Sequence, residues 1–306
     1  MKIKELQRGR AMGIDLLLTG IAEKKTKSGK TYCTLKMTDG DQTILANMWD
    51  TRERSIARLR NKVVNASVRA ELYMGSTTYV ALSLEETAHD PAEFVRKAPM
   101  DAEIMFKEIV RVVENRTETD LASFTVNLLN ANRDAFMRSA AAKEIHHAYL
   151  GGLLHHTYRM VQLADHSADI YGGLDAELLI CGTALHDIGK LNELETSSQG
   201  ATEYTKEGQL LGHIISGIEM IDRFAYEHGK AGKLLLLKHM IASHHGIGEY
   251  GSPVVPKCPE AMVLHHIDMI DSRVQQTEEE YLQTEAGEFS PNKRFGLDNI
   301  YVYRTK

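Results

Sequence analysis

Between Gly13 and about Glu85, apolar and polar residues alternate over short distances in five runs: "IDLLLTGIAEK", "KTYCTLKMTD", "DQTILANMWD", "KVVNASVRAELYM" and "TTYVALSLEE". Val, Ile, Leu, Thr and Tyr dominate these runs. Lys27-Ser28-Gly29-Lys30, Asp39-Gly40-Asp41 and Gly75-Ser76 separate them with turn chemistry, so the pattern predicts five strands. A helix-compatible insert, Arg52 to Arg60, lies between the third and the fourth. Past Pro91 and Pro99 the period changes from two to 3.6. Apolar positions at helical spacing run from Asp101 to Glu114, Asp120 to Asn132, Gly151 to Tyr171, Asp175 to Asp187, Leu210 to His228, Ala231 to His245 and Pro259 to Glu280. The chain therefore divides into a β module (residues 1–88), a linker (89–100) and an all-α region (101–306). Gly246 to Pro259 reads as a Gly/Pro-rich loop. The tail "KRFGLDNIYVYRTK" suits a short strand or a docking segment equally.

Five strands with one helical insert fit a small Greek-key barrel of the OB-like type, followed by a helical bundle, so the fold class is multidomain. Charge adds to this picture. Residues 1–85 hold 15 Lys+Arg against 9 Asp+Glu, a balance of +6, within a chain of net charge −6. A basic module ahead of an acidic one is suited to attract a polyanion. On the predicted second and third strands and their flanking loops stand Lys24, Lys25, Lys27, Lys30, Tyr32, Lys36, Trp49, Tyr73 and Tyr79. Cations that track phosphates, and rings that stack on bases, are the furniture of a single-strand groove. The competing view makes Tyr32 and Trp49 barrel core and the lysines solvated turn residues. No apolar run reaches the ~18 residues of a membrane span, and "MKIKELQRGR" lacks the apolar stretch of a secretion signal. Cys33, Cys181 and Cys258 are too few and too scattered for a disulfide framework or a zinc knuckle. These features predict a cytoplasmic protein with no membrane partner.

Fourteen histidines are many for 306 residues, and most lie between His146 and His266. His155-His156 open one helical stretch and His186-Asp187 close the next. His213 sits in "LLGHIISGIEMI", His244-His245 end "HMIASHHG", and Asp268 lies within "VLHHIDMIDSR". Each stands on or at the end of an apolar helix, where burial of a polar pair costs free energy unless something coordinates or hydrogen-bonds it. Imidazoles with carboxylates are a donor set that divalent transition metals favour. His89, His166 and His228 read as solvated, and His239 and His265 as hydrogen-bonded core.

The stretches "GGLLHHT", "LHDIGK", "GHI", "SHHG" and "LHHIDMIDSR" resemble the HD-domain metal-dependent phosphohydrolases over roughly Glu144 to Arg273. His213 and the His244-His245 doublet resemble the binuclear subclass. With "SGKTYCTLKMTD" ahead of it, the whole chain looks like the YhaM-type 3′-to-5′ exoribonucleases, in which an OB-fold is fused to an HD domain. The resemblance implies one metal on His156, His186, Asp187 and Asp268. It implies a second on Asp187, His213, His244 and His245, with His155 and Asp271 as neighbouring alternatives to His156 and Asp268. It also implies manganese, with Fe²⁺, Co²⁺, Ni²⁺ or Zn²⁺ open to the same donor set. Lys190 matches the family's "HDxGK" and is expected to contact phosphate. His147 and Arg273, which flank ligand segments, are candidates for phosphate or supporting contacts.

The expected activity is 3′-to-5′ hydrolysis of single-stranded RNA, and of single-stranded DNA as a further substrate. Two cations would activate a hydroxide and clamp the phosphate oxygens. Asp187 would bridge them and Lys190 would neutralise a non-bridging oxygen. Two alternatives share these residues: an HD-type phosphodiesterase acting on a small nucleotide, and a di-iron oxygenase. The resemblance also leaves room for a homo-oligomer.

Overall fold

The computed structural model describes residues 1–26, 28–73, 76–116, 119–143, 147–197, 202–282 and 284–306. Two compact units emerge. The first takes Met1–Lys97 together with Gln276–Lys306; the second takes Ala98–Thr196 and Thr202–Gln275. The chain passes from the first unit to the second after Lys97. The last 31 residues, assigned from the sequence to the helical region, group instead with the strands.

In the first unit five strands follow the alternation: β1 (Ala11–Lys25), β2 (Thr31–Thr38), β3 (Thr43–Trp49), β4 (Val63–Tyr73) and β5 (Ser76–Glu86). A one-turn helix, α1 (Glu53–Ile56), occupies the insert between β3 and β4. The strands form a closed barrel in the order β1-β2-β3-β5-β4, with β3 and β5 parallel and the other pairs antiparallel. Closure removes the open edges that would otherwise invite aggregation. The inward positions are Ile14, Leu16, Cys33, Leu35, Met37, Ala46, Val64, Ala66 and Val68, all buried. A shift of register between Leu18 and Gly20 lets β1 pair with β4 along its first half and β2 along its second. At the C-terminal end, two isolated bridges, Phe289 with Tyr303 and Arg294 with Ile300, fold the tail on itself.

The second unit is helical: α2 (Ala102–Asn115), α3 (Asp120–Ala131), α4 (Arg133–Arg138), α5 (Gly152–Ile170), α6 (Ala176–Leu185), α7 (Lys190–Glu193), α8 (Lys206–His228), α9 (Leu234–Ser243) and α10 (Pro259–Tyr281), the last six residues of α10 belonging to the first unit. A short hairpin, β6 (Leu194–Thr196) with β7 (Thr202–Tyr204), interrupts it. Side-chain caps start the helices where the sequence supplies them. The carboxylates of Asp101 and Asp175 accept from Ile104 N and Leu178 N, and Thr205 Oγ1 accepts from Gly208 N. One helix is unlike the rest. Every residue from Glu177 to Leu185 of α6 is buried, which is the signature of a central helix rather than a surface one. Its C-terminus therefore opens inside the core and carries His186 and Asp187 there. No helix among the described residues is long and apolar enough to cross a membrane.

Candidate metal centre

Three local devices gather the polar residues. The first is the end of α6, where the chain turns at His186–Gly189 before α7. Gly189 has no Cβ for a structural reason: one placed there would overlap the His213 carbonyl and the Gly217 amide nitrogen of α8. The turn is thus pressed against α8. The second device is a kink in α8 at Gly212, whose φ of 71° suits glycine. There the backbone N–H of His213 leaves the helical ladder and donates to Glu193 Oε1 at 3.1 Å. The third is α10, where Leu264, Ile267 and Asp271 lie on one buried stripe and Asp268 stands beside it.

Asp187 is the hub. Its Oδ2 lies 3.2 Å from His186 Nε2 and 3.7 Å from His156 Nε2, and His156 Nε2 is 3.5 Å from Asp268 Oδ1. Its Oδ1 lies 3.5 Å from His213 Nε2 and 3.6 Å from His244 Nε2. Donor atoms of His213, His244 and His245 group together, as do those of His156, His186 and Asp187. Two donors bonded to one transition metal at about 2.1 Å stand roughly 3.0–3.4 Å apart. The observed separations are close to that spacing, and of them only His186 Nε2 to Asp187 Oδ2, at 3.2 Å, falls in the ordinary range of a hydrogen bond.

Hydrogen bonding on the far side of each ring supports the same reading. His186 Nδ1 donates to Thr183 O (2.8 Å), His244 Nδ1 to Ile241 O (2.7 Å) and His245 Nδ1 to Tyr250 O (2.7 Å). His156 Nδ1 bonds Asp271 Oδ2 at 2.7 Å, and His213 Nδ1 bonds Glu193 Oε1 at 3.1 Å. A carbonyl or carboxylate oxygen only accepts, so all five rings carry a proton on Nδ1, which leaves Nε2 as the atom open to a metal; in His156, His186, His213 and His244 it faces Asp187. Asp187 Oδ1, His213 Nε2 and His244 Nε2 are buried without a hydrogen-bond partner. Buried polar atoms are normally satisfied. These three converge on one point, and a divalent cation is the group whose chemistry fits them.

The electrostatics point to a site that attracts cations. Burial opposes ionisation of Asp187, yet Lys190, His186 and His213 outweigh it and hold the carboxyl well below the usual range. Burial also opposes a charge on Lys190, which Asp187 more than offsets, so the ammonium is held charged at 2.7 Å. Burial, then the neighbouring His245, pushes His244 far down, which keeps it a neutral donor. For His245 the causes are burial and then His213.

Some candidates occupy other surroundings. His147 is fully buried, bonded through Nε2 to Asp271 Oδ2 (2.8 Å) and through Nδ1 to the Tyr149 hydroxyl (2.6 Å), which closes it to a substrate phosphate. Arg273 is half-buried on α10, two residues beyond Asp271. His155 bonds the Tyr149 hydroxyl at 2.7 Å and takes no part in the grouping around Asp187. Asp271 instead supports from behind: its Oδ2 accepts from His156 and His147, and its Oδ1 forms an ion pair with Arg159 Nε at 2.6 Å. Glu193, Arg159 and Tyr149 escaped the motif reading, and Asp271 entered it only as an alternative to Asp268 among the ligands. For Asp271 the signal was available, since a carboxylate on an apolar stripe needs partners.

On the barrel, Lys24, Tyr32 and Trp49 are paired neighbours across β1, β2 and β3 on the outer face. The rings of Tyr32 and Trp49 lie 4.9 Å apart, and Trp49 is 49% exposed. Lys25 and Lys30 are exposed beside them, and Lys36 lies two rungs along the same face. Lys27 lies outside the described residues. Tyr79 departs from this group. It is half-buried, pairs with the inward-facing Ala46 and Ala70, and packs against the barrel core.

Residues 153–273 match the HD domain family. The match encloses each residue grouped around Asp187. An HD domain indicates a metal-dependent phosphohydrolase, a hydrolase acting on phosphoesters.

Proposed function

We propose that the chain is a metal-dependent exonuclease that removes nucleotides from the 3′ end of single-stranded RNA. The observation that carries the hydrolytic part is the trio of partnerless buried atoms, Asp187 Oδ1, His213 Nε2 and His244 Nε2, beside the second grouping on His156, His186 and Asp268. Held by these residues, two divalent cations would supply a water of lowered pKa and polarise the phosphate oxygens. Asp187 presents one oxygen to each group and so sets their separation. Lys190, 7% exposed with its ammonium on Asp187 Oδ2, is positioned to neutralise a non-bridging phosphate oxygen. Glu193 holds His213, and Asp271 holds His156, in the orientation that turns Nε2 inward. A nitrogen-rich set of donors suits manganese, iron, cobalt, nickel or zinc better than magnesium, which prefers oxygen. Manganese is the ion that the exoribonuclease resemblance implies.

Support for the polymer substrate comes from the first unit. A closed five-stranded barrel with a helix between its third and fourth strands is the arrangement of OB-type modules, which bind oligonucleotides on the face of strands 2 and 3. That face carries the Lys24–Tyr32–Trp49 row. The test is incubation of 3′- and 5′-labelled single-stranded RNA with Mn²⁺. A ladder of 5′-labelled fragments shortening from the 3′ end, abolished by chelation and by Asp187→Ala, is expected. Turnover of mononucleotides or cyclic dinucleotides without attack on RNA would contradict the polymer reading and leave a small-substrate phosphodiesterase. Hydrolysis surviving in verified metal-free protein would contradict the hydrolytic mechanism.

A further inference from the structure

Behind the His156 side of the centre, five polar side chains are buried in contact: His155, Tyr149, His147, Asp271 and His156. Their hydrogen bonds run His155 Nδ1 to Tyr149 Oη (2.7 Å), Tyr149 Oη to His147 Nδ1 (2.6 Å), His147 Nε2 to Asp271 Oδ2 (2.8 Å) and Asp271 Oδ2 to His156 Nδ1 (2.7 Å). Donor bookkeeping gives this chain a direction. Asp271 Oδ2 accepts, so both His147 Nε2 and His156 Nδ1 carry protons. Arg159 pairs with the Asp271 carboxylate through Oδ1, and burial of the His147 ring lowers its pKa and favours the neutral form, with a bare Nδ1. The Tyr149 hydroxyl must therefore donate to His147, and its oxygen accepts from His155 Nδ1–H. Each link fixes the tautomer of the next.

The backbone is built to hold this chain. His147 has a φ of 48°, in the left-handed region that a residue with a side chain occupies only under constraint. Its carbonyl accepts from the N–H groups of Ala141 (3.2 Å) and Tyr149 (2.9 Å). A Cβ at Gly152 would overlap that same carbonyl, so the first turn of α5 rests directly on the strained residue. A fully connected polar network inside an apolar core is costly to assemble and rigid once satisfied.

We infer that Tyr149, His147 and His155 are positioning residues for one of the two ion sites: their directed chain locks Asp271, and through it the inward-facing Nε2 of His156. The His213–His244–His245 side is held separately, by Glu193 and backbone carbonyls. The chain therefore acts on the two sites unequally. This rests on the reading of the site as a two-ion centre. Direct partners of ligating histidines are worth about 10–100-fold in metal affinity, and Tyr149 stands two links further back, so roughly 5–10-fold is expected from removing its hydroxyl.

The test is calorimetric titration with Mn²⁺ alone, using Tyr149→Phe in two backgrounds. In His213→Ala, which cripples the second site, Tyr149→Phe should weaken the remaining ion roughly 5–10-fold. In Asp268→Asn, which cripples the first, it should change nothing. His155→Gln cuts the chain one link further out and should reproduce the pattern, so the inference stays testable if Tyr149→Phe does not fold. Unchanged affinity in the His213→Ala background, or equal losses in both, overturns it. Parent protein that binds two ions while Tyr149→Phe matches it everywhere would sink the positioning role alone. Parent protein that binds no Mn²⁺ would sink the metal reading with it.

Discussion

Replacing Asp187 by Asn removes the anion that compensates Lys190, and the cost follows from the burial of both groups. Asp187 is 3% and Lys190 7% exposed, with Nζ 2.7 Å from Oδ2. Truncating one partner of a buried ion pair costs about 3–5 kcal/mol, because the other charge stays buried and alone. Asp187→Asn should therefore lose about that much in metal-stripped protein. Lys190→Met should lose less, since His186 and His213 still face the carboxylate and offset its charge. The double variant leaves no orphaned ammonium, so it should be more stable than the two single losses predict by about 2–3 kcal/mol. Urea unfolding in chelator, followed by circular dichroism at 222 nm, reads the helical unit. Tryptophan fluorescence would not, because the one tryptophan, Trp49, lies on the barrel. Losses that add to within about 0.5 kcal/mol would show that the two groups do not depend on each other and would refute the argument.

Other consequences are open to direct measurement. Gly189→Ala should push the His186–Gly189 turn off α8 and so weaken Mn²⁺ binding at the His213 side more than at the His156 side, read by the same titration. Trp49→Ala should weaken single-stranded RNA binding by about 1–3 kcal/mol in fluorescence anisotropy, with hydrolysis of a small phosphodiester unchanged. Lys24→Ala should lower the slope of log K against log salt by about 0.7 if that lysine meets one phosphate. Acid should destabilise the metal-stripped protein: burial, then His147, pushes His155 down to about 4. The unfolded chain therefore binds more protons than the folded one between about pH 6.5 and 4, and stability falls across that window as pH drops. His155→Gln should flatten this part of the stability–pH curve, and an unaltered curve would contradict the assignment.

Much of the fold was legible because burial leaves a periodic trace. Strict alternation marked β2 and β3. The largely apolar run from Leu178 to Leu185 marked a helix, although only the structure reveals it as the central one. The short hairpin Leu194–Thr196 with Thr202–Tyr204 left no trace, since three-residue strands are too brief for a period to register. The start of α8 at Lys206 was missed by four residues because its first turn is polar and is set by the Thr205 cap rather than by an apolar face. Grouping of the tail with the barrel involves contacts far apart in sequence, Arg96 with Glu279 and Gln42 Nε2 donating to Leu282 O, which no local pattern encodes. The doublets and their spacing advertised the site's inner residues. Its supporting residues were obscure for a physical reason: Glu193, Arg159 and Tyr149 are single polar residues whose role exists only in their partners' geometry. Tyr79 shows the opposite error, an aromatic assigned to a binding face by its type when its register points it inward.

Paramagnetic resonance on Mn²⁺-titrated protein tests the two-ion centre most directly. Two ions per chain with the spectrum of an exchange-coupled pair are expected, and Asp187→Ala should abolish the coupling. A single uncoupled ion at saturation, or a coupled pair that survives loss of Asp187, would contradict the account.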